Sequence, residues 1–256
     1  MTLTVALVLA GAVVVGVSLG LLGAGGSVLA VPVLVYGAGQ PVAVAVPTSL
    51  AVVAISSVGA LVPRLRRGQV RWSVAAVFAA GGVPAALAGA VLGRGLPGEL
   101  LLPAFAVIMV VVAVRMLRDA ESTGGACRTT AGRVNRRRCL PRALAAGGGV
   151  GVLTGVFGVG GGFAVVPALT LLLGLTATDA VGTSLVVVAV NSVAGFAGHV
   201  GTRLDYGLVL LFAGGALLTS LVAGRLATRL PADRIRRWFA WTVLALAPLV
   251  AAGAWI

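Results

Sequence analysis

The sequence predicts an all-α membrane protein. It is read as two inverted repeats, each a glycine-broken re-entrant helical hairpin followed by three transmembrane helices, about seven or eight membrane segments in all. Three observations predict this. Of the 256 residues, 59% are hydrophobic and 10% charged, with a mean hydropathy of +1.12, whereas a soluble domain dresses its surface with roughly 25% charged residues. Residues 4–63, 143–178 and 206–224 carry no charge, and each run exceeds the ~18 residues that mark a membrane span. Finally, the chain repeats itself.

Residues 16–32 read GVSLGLLGAGGSVLAVP and residues 151–167 read GVLTGVFGVGGGFAVVP. The offset that carries Gly16 onto Gly151 also carries Gly20, Gly23, Gly25, Gly26 and Pro32 onto Gly155, Gly158, Gly160, Gly161 and Pro167. It takes Thr48-Ser49-Leu50 to Thr183-Ser184-Leu185, Ser57 to Ser192 and Ser56 to Asn191. The units are therefore 1–118 and 143–256, joined by an Arg-rich linker, 119–142. Each opens with an apolar stretch interrupted by glycines, 3–38 or 143–176. Spans follow at 43–62, 72–92 and 99–117, then at 179–198, 206–224 and 236–256. Pro63, Pro97 and Pro231 fall at or near span ends, where proline costs least. The start, Met1 to Thr4, lacks the positive region of a signal peptide and is expected to be retained.

The broken stretches are too long for one upright crossing, since some 34 helical residues would extend about 50 Å against a core of about 30 Å. Each either crosses with strong tilt or turns at its glycines and leaves where it entered. Charge discriminates. All 19 basic residues are arginine. With the linker cytoplasmic, a crossing at 143–176 puts Arg225, Arg229, Arg234, Arg236 and Arg237 outside, against the positive-inside rule. A re-entrant hairpin puts them inside with the linker arginines and Arg64, Arg66, Arg67 and Arg71, leaving only Arg94 and Arg203 outside. Repeat symmetry extends the hairpin to the first half. One hairpin and three crossings then turn the second copy upside down, with tips 23–27 and 158–162 meeting near the midplane.

Non-helical backbone at membrane depth needs protein or a water-filled cavity around it, and glycine suits such a turn. Helices restart near Ser27 and Gly162, where free amide groups and about half a positive charge favour an anion. The candidate substrate path is Gly23, Gly25, Gly26, Ser27, Gly158, Gly160, Gly161 and Gly162, with Thr48, Ser49, Thr183 and Ser184 as hydroxyl donors and Asn191 as an amide. Pro32 and Pro167 are expected to accompany the helix breaks. Gly16, Gly20, Gly151 and Gly155 match small-xxx-small helix packing. The one histidine, His199, is expected at the outer end of its span, solvated or acting as a gate. Asp179 is expected to cap the helix it begins.

The remaining residues exclude several classes. The arginines sit in short loops between apolar spans, which argues against nucleic-acid binding. Glu99, Asp119, Glu121, Asp179, Asp205 and Asp233 all lie in or beside loops, so no carboxylate stands mid-membrane to receive a cation. No P-loop, metal-ligand cluster or nucleophile–base–acid set appears, so no enzyme, cofactor or metal is expected. Cys127 and Cys139 fit no zinc template and are expected to be reduced thiols.

The paired motifs, Gly155-Val156-Phe157-Gly158-Val159-Gly160-Gly161-Gly162-Phe163 with Pro167 and its first-half counterpart, each followed by a Thr-Ser-Leu segment, resemble the TauE/SafE-type sulfite exporter family (TSUP) over nearly the whole chain. The first copy departs at Ser27, where the triple glycine is incomplete. The resemblance implies transport of sulfite, sulfoacetate, thiosulfate or related organic anions across the plasma membrane, usually as export. It also implies that the two glycine loops flank the substrate path. The leading expectation is a secondary transporter of small anions in a bacterial inner membrane, working by alternating access. A passive anion channel and a non-transporting scaffold are the alternatives, and the oligomeric state is left open.

Overall fold

The computed structural model describes residues 2–118, 136–199, 201–202 and 204–226, together with scattered helical positions between 237 and 250. The described residues form helices and connecting turns, without a strand. Helix α1 spans Thr2–Leu22. After Gly23 the chain winds as a 3₁₀ helix, Ala24–Leu29, a single α turn, α2 (Ala30–Pro32), and a π-wound stretch, Val33–Gly37. There follow α3 (Val42–Leu65), α4 (Trp72–Arg94), α5 (Gly98–Arg118), α6 (Arg136–Phe157), α7 (Gly162–Leu173), α8 (Ala177–Ala197) and α9 (Tyr206–Leu226).

Among the described residues, five stretches are long and apolar enough to cross a membrane: Val42–Leu65, Trp72–Arg94, Cys139–Phe157, Thr178–Ala197 and Tyr206–Leu226. Four correspond to the spans expected at 43–62, 72–92, 179–198 and 206–224. The span expected at 99–117 is α5. The span at 236–256 lies largely outside the described residues, as does Pro231. Helix α6 is longer than expected, beginning at Arg136 within the anticipated linker; arginine is a good helix former, so the polar sequence does not stop the helix. Its 22 residues measure about 33 Å, the thickness of a hydrocarbon core.

The chain reverses in both glycine-broken stretches. Val33 packs on Gly11, so the 24–37 arm returns along α1. Gly161 packs on Val150 and Thr154, and Leu169 and Leu173 share a cluster with Cys139, Ala143 and Val150, so α7 returns along α6. Pro32 marks the change from α to π winding. Pro167 lies inside α7 without interrupting it, so the break belongs to the glycines and not to this proline. A proline kinks or is absorbed where neighbouring helices pack it.

Contact registers give the helix directions. Phe78, Gly82 and Ala86 of α4 meet Gly147, Gly151 and Gly155 of α6 in that order, so these helices run parallel. Ala12, Gly16 and Gly20 of α1 meet Gly215, Ala216 and Ala223 of α9, also parallel. Gly151 and Gly155 lie against Gly82 and Ala86 backbone, and Gly16 and Gly20 against Ala216 and Ser220 backbone, so these four glycines serve close helix packing. Helix α8 runs parallel to α4, with Asn191 on Gly82 and Gly198 on Ala90, but antiparallel to α3, with Gly195 on Leu50 and Val188 near Val53 around Gly160.

Two local expectations change. Thr176, not Asp179, caps α8: its hydroxyl accepts the Asp179 N–H at 3.3 Å. The Asp179 carboxylate instead accepts from Arg71 Nε and Nη2 at 3.0 and 2.9 Å, because the loop before α4 lies over the start of α8. Cys139 is disulfide-bonded rather than a free thiol. The expectation of reduced thiols rested on the lack of a metal template, which says nothing about whether two sulfurs approach. Cys127 lies outside the described residues.

Candidate functional site

The site is built on the two turns. Gly23 has φ 78°, and Gly158, Gly160 and Gly161 have φ 70°, 64° and 61°. This left-handed backbone is what lets the chain double back without a Cβ clash. Helix α6 runs on until Gly158 lies under α3, where an added Cβ would come 2.7 Å from Ser49 Oγ and 2.8 Å from Val46 O. The chain then falls back, so that Gly160 stands among Val53, Val188 and Ser192. Val53 and Val188 are near the middles of α3 and α8, and α7 therefore starts near mid-depth. There it packs against the 24–29 segment of the other hairpin.

The turns dock reciprocally. Gly158 rests on Val46, and Gly23 rests on Val181, 2.5 Å from its Cγ1 for an added Cβ. The repeat offset carries Gly23 onto Gly158 and Val46 onto Val181. Ser49 Oγ donates to Val46 O at 2.7 Å and to Gly158 O at 2.6 Å, and Ser184 Oγ donates to Val181 O at 2.8 Å. These serines support the turns rather than offer free donors.

Helices α3 and α8 carry polar atoms without protein partners, one of which, Ser192 Oγ, lies beside Gly160 of the second turn. Asn191 is fully buried, and neither Nδ2 nor Oδ1 meets a partner; the same holds for Ser192 Oγ and Ser57 Oγ. Leaving such groups unpaired costs about 1–3 kcal/mol each. Ser56, the counterpart of Asn191, is satisfied by Val52 O at 2.6 Å.

A separate cavity of about 390 Å³ opens at the end of α4, lined among others by Val46, Arg94, Val156, His199 and Thr202. His199 is buried, with 8% of its surface exposed, and its Nδ1 lies 2.8 Å from Gly195 O. Its expected solvated position is thus corrected: His199 is buried, lining this cavity with Gly93 and Arg94 of α4 and Val156 of α6. Burial holds the imidazole below its ordinary pKa, the Gly195 carbonyl opposes this, and the Arg94 charge adds to the lowering.

Residues 8–249 match the sulfite exporter TauE/SafE family. The chain belongs to this family. Two similar proteins, each named "Probable membrane transporter protein", come from Xylella fastidiosa strains Temecula1 / ATCC 700964 and 9a5c. Each is 32% identical over 252 residues, covering 94% of this chain and 92% of the relative. "Probable membrane transporter protein YdhB" of Bacillus subtilis (strain 168) is 24% identical over 223 residues, covering 84% and 87%. No solved structure matches the chain. As a TauE/SafE family member with several helices able to cross a membrane, the chain is a multi-pass membrane protein of a transporter family.

In this TauE/SafE protein the candidate residues divide by position. Gly158, Gly160, Gly161 and Gly162 form the second turn, and Gly23, Gly25, Gly26 and Ser27 form the first, with Ser27 fully buried. The Asn191 amide lies against Gly82 of α4, one residue from Ser192, which meets Gly160. Thr48 is buried one residue from Ser49. Thr183 stands apart: its Oγ1 accepts the Arg71 N–H at 3.0 Å, at the loop end of α8. Sequence reasoning did not assign Ser57, Ser192 and Arg64 to the site. The repeat offset was the available signal, since it pairs Ser57 with Ser192 and Arg64 with His199.

Proposed function

We propose that the protein is a secondary transporter of small anions, sulfite, organosulfonates or related sulfur-containing or organic anions, exporting them by alternating access. The observation that carries this reading is the start of α7. Its 12 residues begin near mid-depth, with the first ladder bonds running from Ala164 and Val165 N–H to Gly161 O, so the preceding amides and their partial positive charge lie beside unpartnered Ser192, the chain neighbour of unpartnered Asn191. An anion is the ligand such a place favours. Sulfur chemistry follows from family membership.

The two halves, 1–118 and 143–256, are read as inverted repeats. The opposite run of α1 and α6 through the α3–α8 crossing supports this, as do the reciprocal contacts of Gly23 with Val181 and Gly158 with Val46. Such halves rock against each other around a shared site. The arginine distribution supports a bacterial inner-membrane location with the linker cytoplasmic.

The test is flux of labelled sulfite and a labelled sulfonate in proteoliposomes holding the full chain, with and without an imposed pH gradient. Saturable uptake with counterflow is expected. Non-saturating flux indicates a channel, and absence of flux a scaffold.

A further inference from the structure

We infer that the cargo is bound as a monoanion that still carries one acidic hydroxyl, seated between Asn191, Ser192 and the start of α7. This rests on the anion-transport reading above and specifies the protonation state of its cargo.

The seat has a mixed hydrogen-bonding character. Whichever way its amide is turned, Asn191 presents one donor and one acceptor, and both are buried without a partner. The amide lies against Gly82 of α4, where an added Cβ would fall 2.5 Å from Nδ2 and 2.6 Å from Oδ1. Gly82 itself packs on Gly151, while Gly161 packs on Val150 and Thr154, so the amide and the glycine turn stand beside the same stretch of α6. Ser192 Oγ, also unpartnered, lies 3.2 Å from where a Cβ on Gly160 would be. The seat belongs to the second half alone, because Ser56, at the place of Asn191, is already bonded to Val52 O.

A fully deprotonated oxyanion presents only acceptors. It satisfies Asn191 Nδ2, the Ser192 hydroxyl and the leading amides of α7, but sets one of its oxygens against Asn191 Oδ1. An X–OH group supplies the donor that Oδ1 lacks. Charge points the same way. The positive potential here is the half unit of a helix start, while Arg64 is bound to Gly20 O, Arg71 to Asp179, and Arg94 lies at the cavity beside His199. Half a unit favours one negative charge and leaves a second one poorly compensated in a low-dielectric interior.

The experiment is tracer exchange in proteoliposomes holding the full chain, with equal pH on both sides. The probes are sulfite across the range where it takes up a proton, methanesulfonate as a monoanion without a hydroxyl, and sulfate as a dianion. Sulfite exchange is expected to follow the hydrogensulfite fraction and to fall as pH rises. Methanesulfonate should exchange about 10- to 100-fold more slowly, the penalty for leaving one buried acceptor unpaired, and sulfate slower still. Asn191→Ser places the first half's residue here and lets the hydroxyl bond its own helix, so it should bring methanesulfonate close to hydrogensulfite; Ser192→Ala should slow both. Exchange that tracks the sulfite dianion, sulfate as fast as hydrogensulfite, or unchanged selectivity in an inserted Asn191→Ser protein overturns the inference while leaving anion transport standing. No exchange of any probe overturns both.

Discussion

Arg64 and His199 hold the same place in the two halves, yet only Arg64 is seen bonding a neighbouring helix. Arg64 Nη1 donates to Ala60 O at 3.1 Å, as His199 Nδ1 meets Gly195 O at 2.8 Å, one turn back in each helix. Arg64 Nη2 goes further and donates to Gly20 O at 2.9 Å and Leu21 O at 3.5 Å, two carbonyls in the last turn of α1 before the first glycine turn. A guanidinium at a helix C-terminus satisfies orphan carbonyls and complements their partial negative charge.

Arg64→Ala is therefore expected to loosen the first turn. The guanidinium is buried at 6% exposure, and the orphaned carbonyls cost about 1–3 kcal/mol each. A lower midpoint in detergent melting checks this. Arg64→Lys should recover part of the loss, since an ammonium lacks the fork that reaches Ala60 and Gly20 together.

His199 makes stability depend on pH. Its pKa is lowered from 6.5 by burial first and then by Arg94. The unfolded chain takes up a proton below its ordinary value while the folded one does not. Stability is therefore complete above that value, falls as pH drops through it, and stops falling below the folded pKa. Melting from neutral pH downward should show this decline, and His199→Gln should flatten it.

At the second turn, Gly158→Ala meets two obstacles. Its φ of 70° costs a residue with a Cβ roughly 1–2 kcal/mol, and the Cβ would press on Ser49 Oγ and Val46 O at 2.7 and 2.8 Å. Reduced melting temperature and reduced flux are expected. Gly149→Ala in α6 is the contrast. Nothing lies within 4 Å of its Cβ position, so helix propensity alone should make it neutral or stabilising by up to about 1 kcal/mol.

At the loop before α4, Thr183→Val should destabilise more than Asp179→Asn. The first removes the buried acceptor of the Arg71 N–H. The second breaks an ion pair whose arginine side chain is 59% exposed, a class of contact contributing about 0–1 kcal/mol. Paired melting curves decide the order.

Hydropathy and glycine placement were enough to locate four of the five crossing-length stretches among the described residues and both breaks, because lipid compatibility and left-handed backbone are local properties of residues such as Gly23 and Gly158. The same offset announced the close packing of Gly16 and Gly151. Sequence did not disclose that α6 begins at Arg136, that Thr183 is spent on a loop amide, that His199 is buried, or that Asn191 stands unpartnered against Gly82 and Ser192 unpartnered beside Gly160. Each of these depends on which atoms arrive from a distant part of the chain. A polar side chain's role follows from the partner it finds or lacks, and in this protein only the packing of α3, α4, α6 and α8 supplies or withholds that partner.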